Sequence, residues 1–165
     1  MKTISSLERI RQKLNVKKYL VELSALVGHA VQADELTSLD QATAIREAAQ
    51  KFKTQSATSI EIAFSDRRSK RFIEFLQKLH YANPCPVYIW TPRTMDCGAL
   101  LVPSIGAVRF EFDFTLNEEG IVVFLTSDLT DRLLLDFSVT ATGVEVMKVE
   151  TQGMNWERVE LFDPK

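Results

Sequence analysis

The sequence has few of the residues, and none of the short motifs, on which most enzymatic chemistry depends. Its 165 residues include two histidines and two cysteines. It contains no glycine-rich dinucleotide-binding turn, no phosphate-binding P-loop, no H-E-x-x-H metal motif and no G-x-S-x-G nucleophile motif. These absences argue against the common nucleotide-dependent, metalloprotease and serine-hydrolase classes. We therefore expect a protein without catalytic activity and without a cofactor.

Long apolar runs and secretion signals are also missing. No run approaches the roughly 18 apolar residues that a membrane-spanning helix requires. The N-terminal residues distribute positive charges along a helical pattern and contain no separate apolar core, so we expect no signal peptide. Two cysteines, Cys85 and Cys97, are typical of free thiols in a reducing compartment, with a disulfide between them the less common outcome. These features predict a cytoplasmic protein with no membrane partner.

Cysteine and histidine could still supply a nucleophile or a zinc site. Cys85 follows His80 by five residues, so the two could act as a nucleophile and its base. The same pair could bind zinc together with Cys97 and with Asp96 or His29. No C-x-x-C pair supports a zinc site, and a cysteine without such a signature is more often a small buried apolar residue.

Residues 1–83 have the apolar spacing of helices. One stretch covers residues 4–14, with Ser5 and Glu8 at a capping-box spacing, and after a possible interruption at Asn15 the pattern continues to a stop at Gly28. A second helix is predicted to start near Ser38, capped by Thr37 or Ser38, and a third to run to about residue 81, capped by Ser65 or Asp66. A short strand at residues 59–64 separates them. The apolar helix positions are Leu7, Ile10, Leu14, Leu20, Leu23, Val27, Leu39, Ala42, Ile45, Ala49, Phe52, Phe72, Ile73, Leu76 and Leu79.

Residues 84–165 have the alternating pattern of strands joined by short turns. The clearest alternation is Arg109–Thr115, with Phe110, Phe112 and Phe114 on one face. Further strands are predicted at residues 87–90, 99–102, 121–125, 133–140, 144–151 and 156–162. The sequence therefore predicts one α+β domain over residues 1–165: about three N-terminal helices packed on an antiparallel meander of five to seven strands. The helices should cover the aromatic face of the sheet and leave the other face to solvent or a partner.

The charges are unevenly divided between the two halves of the chain. Residues 1–83 contain 14 Lys/Arg and 9 Asp/Glu, a net charge of +5, whereas residues 84–165 contain 6 and 13, a net charge of −7. A dipolar protein with two solvated faces is the simplest interpretation. The functional interpretation is that one layer meets a partner of opposite charge, because such fields accelerate encounter and reject like-charged partners.

The acidic half carries the more specific pattern, a set of carboxylates on predicted strands and turns. Such a rigid row could occupy the cationic groove of a nuclease in place of phosphates. Trp156, at a predicted strand start, could anchor the same interface. Glu111 and Asp113 could also form a glycosidase pair, although the neighbouring phenylalanines point away from them. The acidic set is Glu111, Asp113, Glu118, Glu119, Asp128, Asp131 and Asp136.

In its whole-chain character and this acidic set, the sequence resembles the immunity proteins of bacterial toxin–immunity systems, of the contact-dependent or polymorphic-toxin kind. The resemblance implies a small, cytoplasmic, non-catalytic protein that binds one cognate toxin. It also implies that the acidic sheet face covers the toxin's active site, which in a nuclease would be basic. An exposed sheet edge could also make a homodimer.

Two alternatives remain. The first is a nucleic-acid-associated protein that uses the basic helical layer, in particular Arg67, Arg68, Lys70 and Arg71. These cations lie at a predicted helix start, where the helix dipole disfavours positive charge, and the whole chain is slightly acidic, so a nucleic-acid partner is not expected. The second alternative is a small enzyme with no recognisable motif.

Overall fold

The sheet of this protein is antiparallel and mixes strands from both halves of the chain. The computed structural model describes residues 5–162. The strands are β1 (Thr58–Ala63), β2 (Val87–Trp90), β3 (Leu100–Val102), β4 (Ile121–Thr126), β5 (Asp131–Val139) and β6 (Glu145–Gly153). They lie in the order β1-β6-β5-β4-β2-β3, with each neighbouring pair antiparallel. The predicted α+β class with an antiparallel sheet is confirmed.

The three longer helices begin where capping side chains satisfy N–H groups of the first turn. Within residues 5–162 they are α1 (Ser6–Val27), α2 (Leu39–Ala48), α3 (Lys70–Ala82) and the short α4 (Thr94–Cys97). Ser5 and Glu8 form the predicted capping box of α1, and Ser38 forms another with Gln41 at the start of α2. Helix α1 continues through Asn15 without interruption and ends at Gly28, whose φ of 74° favours glycine. Residue 4, predicted within this helix, lies outside the described residues.

Helix α3 begins later than predicted. Residues 64–68 form a separate 3-10 turn, so the cap is Ser69, which accepts a hydrogen bond from the N–H of Phe72, and not Ser65 or Asp66. Ile73, predicted on the buried face, is 47% exposed. The buried face of α3 consists of Phe72, Phe75, Leu76 and Leu79.

Helices α1 and α3 pack on the same face of the sheet and form the main core with it. Helix α1 contributes Tyr19, Leu23 and Leu26, all wholly buried. The sheet side of this core includes Phe124 from β4 and Leu135 from β5, also wholly buried. Phe110, Phe112 and Phe114, which were predicted to form the aromatic face of the sheet, pack on this core from a segment outside the sheet.

The opposite face of the sheet is covered in part by α2 and the 3-10 turn that follows it. Ile45 and Phe52 pack there against Leu125, which alternates along β4 with the core residue Phe124 and so points the other way. Gln152 of β6 is buried beneath the turn and donates a hydrogen bond to the carbonyl oxygen of Phe52 at 2.7 Å. The prediction that all helices pack on one face is therefore wrong.

The helical and sheet halves of the sequence share one core. Strand β1 belongs to the helical half, yet it pairs with β6 from Thr58 opposite Thr151 to Ala63 opposite Val146. An edge of the sheet is thus supplied by the first half of the chain. The boundary at residue 83 divides the charges but does not divide the fold.

The segment Arg109–Thr115, predicted as the clearest strand, is not part of the sheet. Strand β4 already has β2 and β5 as neighbours, and the segment packs on the helix-side face instead. Its alternation persists in the burial: Phe110 and Phe112 are 7% and 3% exposed, whereas Glu111 and Asp113 are exposed. An extended chain that packs on a core alternates buried and exposed side chains with a period of two, whether or not it pairs with a strand. The sequence pattern therefore could not distinguish this segment from a strand of the sheet.

Candidate interaction surface

Four of the predicted partner-binding carboxylates lie on one stretch of the chain, residues 109–119, which we call the acidic segment. Glu111, Asp113, Glu118 and Glu119 are all exposed, and the side chain of Glu118 is 85% exposed. The acidic segment contains one arginine, Arg109, and these four carboxylates, so its formal net charge is −3.

Two arginines hold the middle of the acidic segment from the protein side. Arg67 donates from Nε to the carbonyl oxygen of Phe112 at 2.9 Å and from Nη1 to that of Phe64 at 3.0 Å. Arg68 donates from Nη2 to the carbonyl oxygen of Glu111 at 3.0 Å. A backbone without a strand partner must find other hydrogen bonds, and these guanidinium groups supply them. Arg67 is 7% exposed, so its guanidinium group contacts the rest of the protein and is not presented to a partner.

The two ends of the acidic segment are fixed as well. The N–H of Arg109 donates to the carbonyl oxygen of Leu26 at 2.7 Å, one of the carbonyls that the last turn of α1 leaves without an intrahelical partner. Asn117 is 9% exposed, and its Oδ1 accepts hydrogen bonds from the N–H groups of Gly120 at 2.7 Å and Ile121 at 3.3 Å. The segment is therefore tied to α1 at one end and to β4 at the other.

Aromatic packing completes the anchoring. The ring of Phe112 stacks on Phe137 of β5 with centroids 5.5 Å apart, and Phe110 meets Phe72 of α3 edge-on at 5.0 Å. These geometries are the favourable ones for aromatic pairs. The backbone of the acidic segment is thus held from inside while its carboxylates face outward.

Grooves lie on both sides of the acidic segment. A groove of about 530 Å³ separates residues 105–111 from α3, with Ile73 and Leu76 on its apolar wall. A second groove, of about 520 Å³, lies against the C-terminal end of α1 and includes His29. Arg109 and Glu111 line both grooves, so a partner that enters either groove contacts the acidic segment.

Two of the other predicted carboxylates are not on the surface of the acidic segment: Asp128 lies at the far end of β4, and Asp136, although opposite Ile121, alternates with the core residues Leu135 and Phe137 and so points to the other face of the sheet. The segment joins β4 near Ile121, whereas Asp128 follows Thr126 at the other end of that strand. Asp136 is half-buried on β5 and faces Lys148 across the β5–β6 pair. The structure therefore does not bring the predicted acidic set to one surface.

Asp131 is wholly buried and is surrounded by hydrogen-bond donors of the protein. Its carboxylate accepts hydrogen bonds from Asn83 Nδ2 at 2.7 Å, from the N–H and Nδ2 of Asn155, both at 2.8 Å, and from the N–H of Trp156 at 2.9 Å. Burial alone raises the pKa of this carboxyl, but the hydrogen bonds from Asn155, Asn83 and Trp156 outweigh burial and hold the pKa below its ordinary value. In this structure Asp131 is not on the surface.

Trp156, predicted as an interface anchor, is also wholly buried. Its indole Nε1 donates a hydrogen bond to the carbonyl oxygen of Leu79 at 2.9 Å. The chain turns at Trp156 and forms no strand over residues 156–162, so the strand predicted there is wrong. Asp131 and Trp156 together attach the C-terminal turn to the end of α3.

The predicted nucleic-acid cluster is divided between the interior and the surface. Arg67 is buried and Arg68 bonds to the acidic segment, as described above. Lys70 is exposed and lies 3.6 Å from the carboxylate of Glu74 one turn along α3. Arg71 is exposed on the same helix. The four cations therefore do not form a single free basic surface.

The described residues do not form the zinc site considered from the sequence, whereas the pairing of Cys85 with His80 stays a prediction. In the part of the chain that the structure describes, no group of three or more His, Cys, Asp and Glu side chains could hold a metal ion. Cys85 and Cys97 are free and half-buried. Burial raises the pKa of the Cys97 thiol, the opposite of the change that activates a nucleophile. His80 has a buried Nδ1 with no hydrogen-bond partner among residues 5–162.

The buried ion pair between Glu22 and Arg93 was not predicted from the sequence. Glu22 of α1 is 5% exposed, and Arg93 Nη1 bonds to its Oε1. Burial raises the pKa of Glu22, and the Arg93 charge opposes part of that rise. Glu22 lies three residues after Tyr19 and four before Leu26, on the core-facing side of α1, so helical spacing could have identified it.

Helix length and comparisons with other proteins add two findings. None of the helices within residues 5–162 combines the length and the apolar character needed to cross a membrane. Comparison with protein-family models, with curated proteins and with solved structures found no match to this chain.

Proposed function

We propose that this chain is a non-catalytic protein-binding module that binds and neutralises a cognate protein toxin, as an immunity protein does, and that the acidic segment supplies the contact. The observation that carries the proposal is that four exposed carboxylates lie on a segment whose backbone is held by hydrogen bonds from the rest of the protein. A pre-ordered loop loses less conformational entropy on binding than a mobile one. Its charge favours a cationic partner and accelerates association with it.

The contact surface is the acidic segment and not the face of the sheet. Helix α2 and its following turn cover part of that face, and the remainder carries Arg132 and Lys148 beside Glu150 and Asp136. These opposite charges largely balance each other. The acidic segment, in contrast, has a formal net charge of −3 and grooves on both sides. A toxin whose active site is a basic cleft, such as a nuclease, would place that cleft over the acidic segment and lose access to its substrate.

The proposal is tested with charge-reversal variants in two steps. The tagged protein is first used to capture its partner from a lysate of the source cells with and without nuclease treatment. The captured partner is then purified, and its association rate and its toxic activity are measured against three forms of the chain. These are the wild type, Glu111→Lys with Asp113→Lys, and the control Asp34→Lys with Glu47→Lys, which reverses two exposed carboxylates elsewhere.

We expect one stoichiometric protein partner that survives nuclease treatment and loses its toxic activity on binding. The Glu111/Asp113 variant should associate at least about tenfold more slowly at low salt and show a weaker salt dependence, because long-range attraction is lost. The control should behave like the wild type. Partners that disappear with nuclease, or equal effects of the two charge reversals, would overturn the proposal.

A further inference from the structure

Helix α1 carries a line of large apolar side chains that face solvent. Leu7, Ile10, Leu14 and Val21 are 69%, 54%, 53% and 66% exposed. With about 100° of rotation per residue they fall within a strip about 60° wide along the helix. We call these four residues the α1 seam. Solvent-facing apolar side chains scattered singly are ordinary, but four in one strip mark an interaction site.

The α1 seam lies on the side of the helix opposite the core. The wholly buried residues of α1 are Tyr19, Leu23 and Leu26, and their mean direction on the helix is about 150° or more from that of the seam. The first turns of α1 are exposed all round, from Ser6 to Leu14. Nothing within residues 5–162 therefore covers the seam.

Positive charges line both sides of the α1 seam. Arg11 and Lys18 lie on one side of the strip, and Lys13 and Lys17 lie on the other; all four are exposed. Leu7, Ile10, Leu14 and Val21 fit positions a, d, a and a of a heptad repeat. Arg11, Lys13 and Lys18 then occupy flanking positions, and Lys17 occupies the second d position, beside the seam. Two copies of such a helix would bring like charges together, whereas a partner helix with flanking carboxylates would pair with them.

The α1 seam continues into a groove on the body of the protein. Leu14 and Val21 line a groove of about 460 Å³ together with Leu116. The charged residues that border it are the cations Lys17, Lys18 and Arg93 and the carboxylates Glu22 and Glu118. An occupant would thus contact α1 along the seam and the chain near residue 116 at the same time. The groove extends the apolar contact beyond what α1 alone offers.

The width of the seam distinguishes a helical partner from a lipid surface. Helices that lie in a membrane interface bury a broad apolar face, commonly with aromatic residues. A strip about 60° wide without an aromatic side chain is closer to the narrow seam of a coiled coil.

We infer that the α1 seam docks an acidic amphipathic helix of a partner protein, with leucine or isoleucine along its seam and carboxylates on both sides. The partner's apolar side chains enter the groove at Leu14, Val21 and Leu116. Its carboxylates pair with Arg11, Lys13, Lys17 and Lys18. This surface adjoins the acidic segment, which contributes Leu116 and Glu118 to the groove. The inference rests on α1 and not on Glu111 and Asp113, so it does not depend on the proposed function.

The test uses a synthetic three-heptad peptide with leucine at the seam positions and glutamate at the flanking positions, labelled for fluorescence anisotropy. We expect the full chain to bind this peptide and to lose affinity as salt is raised. Ile10→Ser with Leu14→Ser should weaken binding at least about tenfold, because both side chains are truncated at the contact. The matched control, Val139→Ser with Val144→Ser, removes two equally exposed valines elsewhere and should not change affinity.

Charge reversal provides the second arm of the test. Arg11→Glu with Lys18→Glu should abolish preference for the glutamate peptide and create preference for its lysine counterpart. Circular dichroism should show unchanged helix content in every variant, since these side chains are exposed. Three results would overturn the inference: affinity that does not respond to the Ile10/Leu14 change, self-association that depends on Leu14 in sedimentation equilibrium, and Leu14-dependent binding to phosphatidylserine vesicles with no binding to the peptide.

Discussion

Arg67 donates a hydrogen bond from Nε to the carbonyl oxygen of Phe112 at 2.9 Å, while its guanidinium carbon lies 4.0 Å from the centre of the Phe64 ring. The first contact fixes a backbone that has no strand partner, and the second makes burial of the cation favourable. The acidic segment is therefore held by a basic residue on its inner side. This relationship connects the proposed contact surface to the stability of the fold.

Replacing Arg67 should destabilise the protein much more than replacing its neighbour Lys70. In Arg67→Met the carbonyls of Phe64 and Phe112 lose buried charge-assisted hydrogen bonds, and we expect the free energy of unfolding to fall by about 2–3 kcal/mol. Lys70→Met removes only an exposed ion pair with Glu74, worth less than about 0.5 kcal/mol. Urea unfolding followed by circular dichroism measures both. Similar losses in the two variants would show that Arg67 does not anchor the segment.

Asp131 should be among the most sensitive polar positions in the protein. In Asp131→Asn an amide replaces a buried carboxylate that accepts hydrogen bonds from Asn83, Asn155 and Trp156, so at least one donor loses its acceptor. We expect a loss of about 1–3 kcal/mol in the free energy of unfolding at neutral pH. The exposed Asp34→Asn is the matched control and should change stability by less than about 0.5 kcal/mol. Thermal unfolding of both variants measures the two losses, and equal losses would contradict the prediction.

The stabilising effect of Asp131 should disappear in acid. Its pKa in the folded protein is lowered, so its contribution to stability is complete above the unfolded value of about 3.8 and is lost as the pH falls below that value through the folded pKa. The difference in stability between wild type and Asp131→Asn should therefore shrink as the pH is taken below about 4. A difference that stays constant down to pH 2 would contradict the assigned hydrogen bonds.

Trp156 and Trp90 should differ in both fluorescence and stability. Trp156 is wholly buried and donates to the carbonyl oxygen of Leu79, whereas Trp90 is half-buried on the other face of the sheet. We expect Trp156→Phe to cost about 1–3 kcal/mol, through the lost hydrogen bond and the space left behind, and Trp90→Phe to cost less. Emission from Trp156, measured in the Trp90→Phe variant, should lie at shorter wavelength than emission from Trp90. The reverse order of wavelengths would place Trp156 at the surface.

Local signals in the sequence predicted the elements well where the deciding interactions are local. The Ser5–Glu8 capping box and the stop at Gly28 depend on side chains within one turn of the helix, and both are confirmed. The place of Arg109–Thr115 depends on which strands flank β4, and that is decided by residues far away in sequence. The burial of Asp131 is equally non-local, because Asn83 and Asn155 lie 48 and 24 residues from it. Glu111, Asp113, Glu118 and Glu119 lie on one segment because they are close in sequence, so this part of the acidic set could be predicted.

Glu22 should give the protein a pH dependence opposite in sign to that of Asp131. Its pKa is raised in the folded state, so the folded protein binds the proton more tightly, and stability falls as the pH rises from about 4.5 through the folded pKa. Glu22→Gln removes the titrating group, and the difference in unfolding free energy between wild type and variant should show this decline. Arg93→Met leaves the Glu22 carboxylate buried and unpaired, so we expect a loss of about 3–5 kcal/mol at neutral pH. That loss should become smaller toward pH 4.5, where protonation of Glu22 neutralises the unpaired charge, and a loss independent of pH would show that the pair is not the source of the effect.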